Sequence, residues 1–395
     1  MFALRSSWRW FVLPLVLGAF APVACDDDGR IELVLPPGKI PDGGSWPDAD
    51  LADAAVDGDA ALDDAADAGV SRVLVGVTPN PRGDGTPGIG DLIEARLTAI
   101  AAGSRAVVVR RTPAELTTTT AWSQLESEAS MYGKNGIAVN FVLAVVDGKT
   151  RGIESELSGL SWDDPVVLTA MHERIDQALM HLGATAHYFL VGRDVDLFLA
   201  THPIDRPAVT VFLLDLLAYV RTNPLAPPGM QIGVGFSFAG ATTPDPSLPD
   251  VLAASDVVAC SYLPGLGTET AGLASNIAAD MDILVASVMG KPIVVEALGY
   301  PSSDVVGGSD AKQGLFLETF FTVLGPRRSN FVFVNIEGLH DLAPGRCAAR
   351  AMFESQAADG VWAAYRCSLG LFTADSQPKT AWQVFVNGAA AFASP

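Results

Sequence analysis

The chain has 395 residues, with 45 Asp and Glu against 25 Lys and Arg, and a formal charge of −20 at pH 7. So acidic a balance argues against nucleic acid as a partner, because a phosphate backbone is held by a surplus of Lys and Arg. The five histidines lack metal-ligand spacing and the cysteines lie apart, so no metal is expected; no glycine-rich phosphate loop implies a nucleotide, so no cofactor is expected.

Residues 1–24 read as a secretory signal peptide. Arg5 and Arg9 precede the apolar run 10–20, which is too short to span a bilayer comfortably, and Ala21-Pro22-Val23-Ala24 supplies small residues for cleavage. Cys25 follows directly, as in a bacterial lipoprotein signal, where it becomes the lipidated first residue. The alternative is simple cleavage with Cys25 as a spare thiol. The expectation is an exported protein of the bacterial cell envelope, or a secreted one, touching a membrane only through a lipid anchor. Residues 25–70 then form an Asp/Ala-rich tether. Between 26 and 69, thirteen acidic residues face only Arg30 and Lys39, with no aromatic residue after Trp46. Such a segment buries too little apolar surface to offset its chain entropy, and is expected to be disordered and extended. The charge divides into +2 before residue 26, −11 in the tether and −11 in residues 71–395.

The remaining stretch, 71–395, suits one (β/α)8 TIM barrel. Short β-branched runs recur at 73–77, 106–110, 137–145, 187–192, 231–236, 256–261, 291–296 and 330–335. Helical patterns lie between them at 89–101, 120–132, 165–182, 204–222, 248–254, 269–289 and 311–324, with a closing helix near 380–391. A doubly wound open sheet is the alternative architecture.

In a barrel of parallel strands, functional side chains lie just past the strand ends. The second strand ends in Arg110-Arg111, the third runs into Asp147, the fourth ends in Arg193-Asp194, and the sixth in Cys260-Ser261-Tyr262. The seventh ends in Glu296 and the eighth in Asn335 and Glu337. Asp194 and Glu296 therefore approach one mouth from opposite sides. Paired carboxylates of this kind suit glycosidic cleavage, one protonating the leaving oxygen and the other attacking or activating water.

From about residue 72 to 390 the chain resembles the clan of retaining glycoside hydrolases with acid/base and nucleophile on barrel strands four and seven. It looks most like the bacterial endo-β-1,4-galactanase-like, arabinogalactan-degrading lipoproteins. The blocks that carry the resemblance are YFLVGRDVDLFL, DVVACSYLPG, GKPIVVEALGYPSS, FVFVNIEGLHDL and SLGLFTADSQPKTAWQVF, in that order. The resemblance implies Glu296 as nucleophile, Tyr262 as its hydrogen-bond donor, and Arg111, or failing that Arg110, as the arginine that keeps it ionised. Asp194 falls where the acid/base glutamate belongs, and Arg193 where an asparagine binds the sugar. Asn335 stands where an aromatic floor is frequent.

The two substitutions on strand four leave two readings open. One is a glycoside hydrolase acting on a β-linked, galactan-like polysaccharide with Asp194 as acid/base. The other is a weakened or inactive barrel kept as a surface carbohydrate-binding protein, because Asp is shorter than Glu and a guanidinium favours the ionised carboxylate. Trp162, in the loop before Asp163-Asp164-Pro165, is the sugar-stacking candidate, whereas Trp122 and Trp382 read as core. His340-Asp341 reads as a loop contact, Cys260 as buried filler, and Cys347 with Cys367 as a disulfide in an exported chain. A poly- or oligosaccharide is the expected partner and a monomer the default state.

Overall fold

The structure is a computed structural model that describes residues 72–393, apart from Gly85, Ser355, Ala357 and Ala358. The expected signal peptide (1–24), the expected lipidation site Cys25 and the expected tether (25–70) lie outside the described residues.

Eight parallel strands close on themselves. They are β1 (Leu74–Val77), β2 (Ala106–Arg111), β3 (Ala138–Asp147), β4 (Ala186–Arg193), β5 (Gln231–Ser237), β6 (Val257–Tyr262), β7 (Ile293–Leu298) and β8 (Phe331–Ile336). Closure is made by β1, which pairs with β2 at Gly76–Ala106 and with β8 from Leu74–Phe333 to Val77–Ile336. An open sheet would leave two edges unpaired here, so the architecture is the (β/α)8 barrel and the doubly wound alternative falls. A two-residue strand, Thr150–Arg151, folds back antiparallel on the end of β3.

Alternation along each strand divides the apolar residues between two layers. Ala106, Val142, Ala144, Tyr188, Leu190, Val257, Ala259, Val294 and Phe333 fill the barrel. Their neighbours Val107, Val109, Phe141, Phe189, Val258, Ile293 and Val295 point outward into the layer shared with the helices. Several helix starts are written locally. Thr118 accepts a hydrogen bond from Ala121 N, Asp164 from Val166 N with Pro165 in the first turn, and Ser309 from Lys312 N.

Besides the short unanticipated helices Val195–Thr201 and Phe238–Thr242, two longer segments differ from the sequence expectation. The helix expected over 269–289 is confined to Ile277–Ser287, because Gly265 and Gly267 adopt φ of 83° and 80° and turn the preceding chain into a loop. After β8 the chain makes an excursion with two unanticipated helices, Pro344–Phe353 and Gly360–Arg366. Cys347 and Cys367 form a disulfide between them, with Cα atoms 5.6 Å apart.

Candidate active site

The mouth at the carboxyl ends of the strands is polar, and strand alternation decides which residues enter it. On β7, Val294 faces the barrel, so Glu296 does too, and its side chain is 1% exposed. Space for it is cleared by Gly235 on β5: a Cβ there would stand 2.9 Å from Glu296 Oε1. Neither oxygen of Glu296 has a hydrogen-bond partner among the described residues. Burial pushes its carboxyl up to about 8; Arg193 opposes that rise, while Asp194, Glu337 and Asp147 add to it.

Arg193 reaches the mouth through a break in alternation. Tyr188 and Leu190 point inward and Phe189 and Val191 outward. Gly192 then adopts φ 80°, and a Cβ on it would meet Val195 Cγ2 at 2.9 Å. Only glycine fits that turn, and it sends the next side chain inward. The Arg193 guanidinium is 3% exposed and stands among four carboxylates: Glu337 at 3.4 Å, Glu296 at 3.6 Å, and Asp147 and Asp194 at 3.7 Å each. Burial would lower its pKa, but these four acids together carry it well above the usual value.

Asp194 occupies left-handed backbone at φ 48°, and its Oδ1 accepts a 2.5 Å hydrogen bond from Ser261 Oγ. The sequence leads one to expect that Arg193 keeps Asp194 ionised. Burial is the stronger influence, and the carboxyl is raised despite Arg193 and Ser261.

An outer ring of charge surrounds this centre. Arg110 pairs with Asp147 at 3.5 Å, and Arg366 with Glu337 at 2.9 Å and with Glu354 at 3.2 Å; Arg350 also contacts Glu354. Burial alone would raise Glu337, yet Arg193 and Arg366 hold it down at about 2. Two cavities open here and share Thr78, Asn80, Arg110 and Glu337. One, of about 260 Å³, is lined also by Arg193 and Glu296. The other, of about 380 Å³, extends toward the excursion after β8. Asp194 lines neither.

Two residues, Tyr262 and Trp162, stand elsewhere than the resemblance implied. Tyr262 faces outward, as Cys260 does, and donates a 2.5 Å hydrogen bond to Asp280 while packing on Phe238 and Phe316. It makes no bond to Glu296; Ser261 is the inward residue of that strand. Both arginines of β2 line the cavity that holds Glu296: Arg111 donates to Glu128 on the helix Thr119–Lys134 at 2.6 Å, and Arg110, on the inward face, pairs with Asp147. Trp162 is buried against Phe198 and Phe212, with the Arg151 guanidinium 4.1 Å above its ring, and no face remains for a sugar. Its loop folds under the helical layer because an indole gains more by burial there than at the surface.

Asn335 is a strut rather than a lining residue. Its Nδ2 donates to Thr78 Oγ1 at 2.8 Å and to the Glu296 and Ile336 carbonyls at 3.1 Å. His340 Nδ1–H donates to the Asn80 carbonyl at 2.8 Å, and Asp341 pairs with Lys379 at 2.6 Å. Cys260 is fully buried. Among the described residues no group of three or more His, Cys, Asp or Glu side chains is arranged to hold a metal ion. No sequence feature assigned a role to Ser261, Arg350, Glu354 or Arg366, which the fold brings to the mouth.

No protein-family model and no curated protein matches the sequence. Solved structures do match in fold. The exo-beta-1,4-mannosidase Op5Man5 from Opitutaceae bacterium strain TAV5 superposes with a TM-score of 0.63 at 17% identity, over 82% of this chain and 60% of that one. This chain thus spans less than two thirds of that mannosidase. A GH5_18 protein from Streptomyces cattleya in complex with GlcNAc gives 0.60 at 17% identity, over 82% and 81% of the two chains. Fungal β-1,4-galactanases give 0.54 at 13% identity, over 73% and 89%. The chain shares with these glycosidases the closed eight-stranded barrel with its carboxyl-end mouth.

Proposed function

We propose that this protein is a carbohydrate-active barrel of the glycoside hydrolase type, which takes a β-linked, galactan-like polysaccharide into the mouth around Glu296. The observation that carries the reading is the placement of Glu296: a carboxylate at the end of β7, aimed into a cavity, with a second carboxyl, Asp194 just past β4, contacting the same Arg193 nitrogen. In a retaining mechanism Glu296 attacks the anomeric carbon while Asp194 gives its proton to the leaving oxygen. Asp194, now ionised, then takes a proton from water, whose oxygen displaces Glu296 from the sugar. The raised carboxyl of Asp194 suits the first proton transfer. Glu296 must be ionised to attack while Asp194 still holds its proton, so turnover should be bell-shaped in pH, its acid limb set by the raised carboxyl of Glu296.

The specific observation favouring a second reading, sugar binding without turnover, is that Asp194 lines neither cavity and is engaged by Ser261. In either case the chain works as an exported, lipid-anchored monomer, held off the membrane by its acidic tether. The deciding experiment is hydrolysis of β-1,4-galactan, β-1,4-mannan and β-1,3-glucan oligosaccharides by the purified chain and by Glu296→Ala. Turnover that disappears in the variant supports the hydrolase. Affinity without turnover supports the binding protein, and neither affinity nor turnover on any of them removes the carbohydrate reading.

A further inference from the structure

The larger cavity has a charge opposite to that of the chain. In a protein of formal charge −20, its lining holds four arginines, Arg110, Arg346, Arg350 and Arg366, against one carboxylate, Glu337. The counter-ions of Arg110 and Arg350, Asp147 and Glu354, are not part of the lining. Arg350 Nη2 touches Glu354 and Arg366 Nη1 touches Glu337, but neither contact is aligned as a hydrogen bond, and both nitrogens are buried. Burial, with Arg110 and Arg366 close by, lowers Arg350 to about 10 even though its Nε donates a hydrogen bond to Glu354. We propose that this cavity is an anion-binding subsite, and that the glycan entering the mouth carries carboxylate or sulfate groups on its sugar rings.

This inference rests on the carbohydrate reading and names its substrate class. Arginine forks match planar carboxylates and sulfate oxygens two bonds at a time, which point-charge lysines do not. The wall is also fixed in advance. Arg346 and Arg350 stand on the helix Pro344–Phe353 and Arg366 ends the helix Gly360–Arg366. The disulfide joins Cys347 and Cys367, each the residue immediately after a lining arginine. A covalent staple there lowers the entropy lost when the arginines close on an anion. The shared lining of Thr78, Asn80, Arg110 and Glu337 connects the subsite to Glu296, so one saccharide chain can occupy both cavities.

The test is titration calorimetry on the full chain at low salt with two matched pairs: β-1,4-mannotetraose with tetramannuronate, and cellotetraose with its C6-oxidised form. Members of a pair differ only in CH2OH against carboxylate. At least one acidic tetramer should bind about 10-fold or more tightly than its neutral partner, and the advantage should shrink as salt is added. Arg346→Gln and, separately, reduction of the disulfide should diminish that advantage. A 6-O-sulfated mannotetraose in the same titration separates sulfate from carboxylate as the preferred group. Equal or tighter binding of the neutral members, with no gain from sulfate, overturns this inference and leaves the carbohydrate reading standing. Binding of none of the five overturns this inference, and the galactan arm of the hydrolysis panel then decides the carbohydrate reading by itself.

Discussion

Glu296→Gln should stabilise the folded chain by an amount that grows with pH. The carboxyl moves from an ordinary 4.5 to about 8 on folding, chiefly because burial disfavours its charged form. Between those values the folded protein binds a proton that the unfolded chain has released, so stability falls as pH rises through the window. Each unit corresponds to ~1.4 kcal/mol, which sets a ceiling on the order of 4–5 kcal/mol near pH 8. Coupling to Asp194 and Glu337, and relaxation around the site, reduce this to roughly 2–4 kcal/mol. Glutamine has the same shape and no charge to desolvate. Thermal unfolding of both proteins from pH 5 to 9 should show nearly equal midpoints at pH 5. The variant should then gain a lead of several degrees by pH 8, at about 2 °C per kcal/mol for a chain this long. A gap that is constant with pH, or a wild type more stable at pH 8, would refute the argument that burial outweighs Arg193 at Glu296.

Two further substitutions probe the surroundings. Arg193→Asn should cost about 3–5 kcal/mol at neutral pH, because it leaves buried carboxylates without their shared counter-charge; chemical denaturation should show the loss easing as pH falls and the acids take up protons. Tyr262→Phe should cost about 1 kcal/mol through the lost bond to Asp280. It should leave sugar affinity and any turnover unchanged, and a changed pH–rate profile would place the phenol at Glu296 after all.

The barrel was legible in the sequence because each strand is a short β-branched run bounded by helical periodicity, and eight such runs leave few alternatives. Glu296 was legible for the same reason: a charge at the end of the run Ile293-Val294-Val295 has only the mouth to face. Period-two alternation also limits Arg110 and Arg111 to one inward residue. Choosing between them needed the register, set by Ala106 and Val108 facing the barrel. The same parity turns Ser261 in and Tyr262 out. Arg193 was harder, since its direction depends on the positive φ of Gly192, which no periodicity reveals. The arginine wall was not legible at all. Arg346, Arg350 and Arg366 become neighbours of Arg110 only when the excursion after β8 folds back over the mouth, a contact more than 200 residues long in sequence. Trp162 misled for the converse reason: a loop position says little about burial when the loop packs under a helix.

The Arg193 cluster also couples five positions energetically. One guanidinium serves four acids, Asp147 on β3, Asp194 just past β4, Glu296 on β7 and Glu337 just past β8. An exchange at any of them changes what the other four tolerate, so double-mutant cycles between position 193 and each acid should show coupling rather than additive costs.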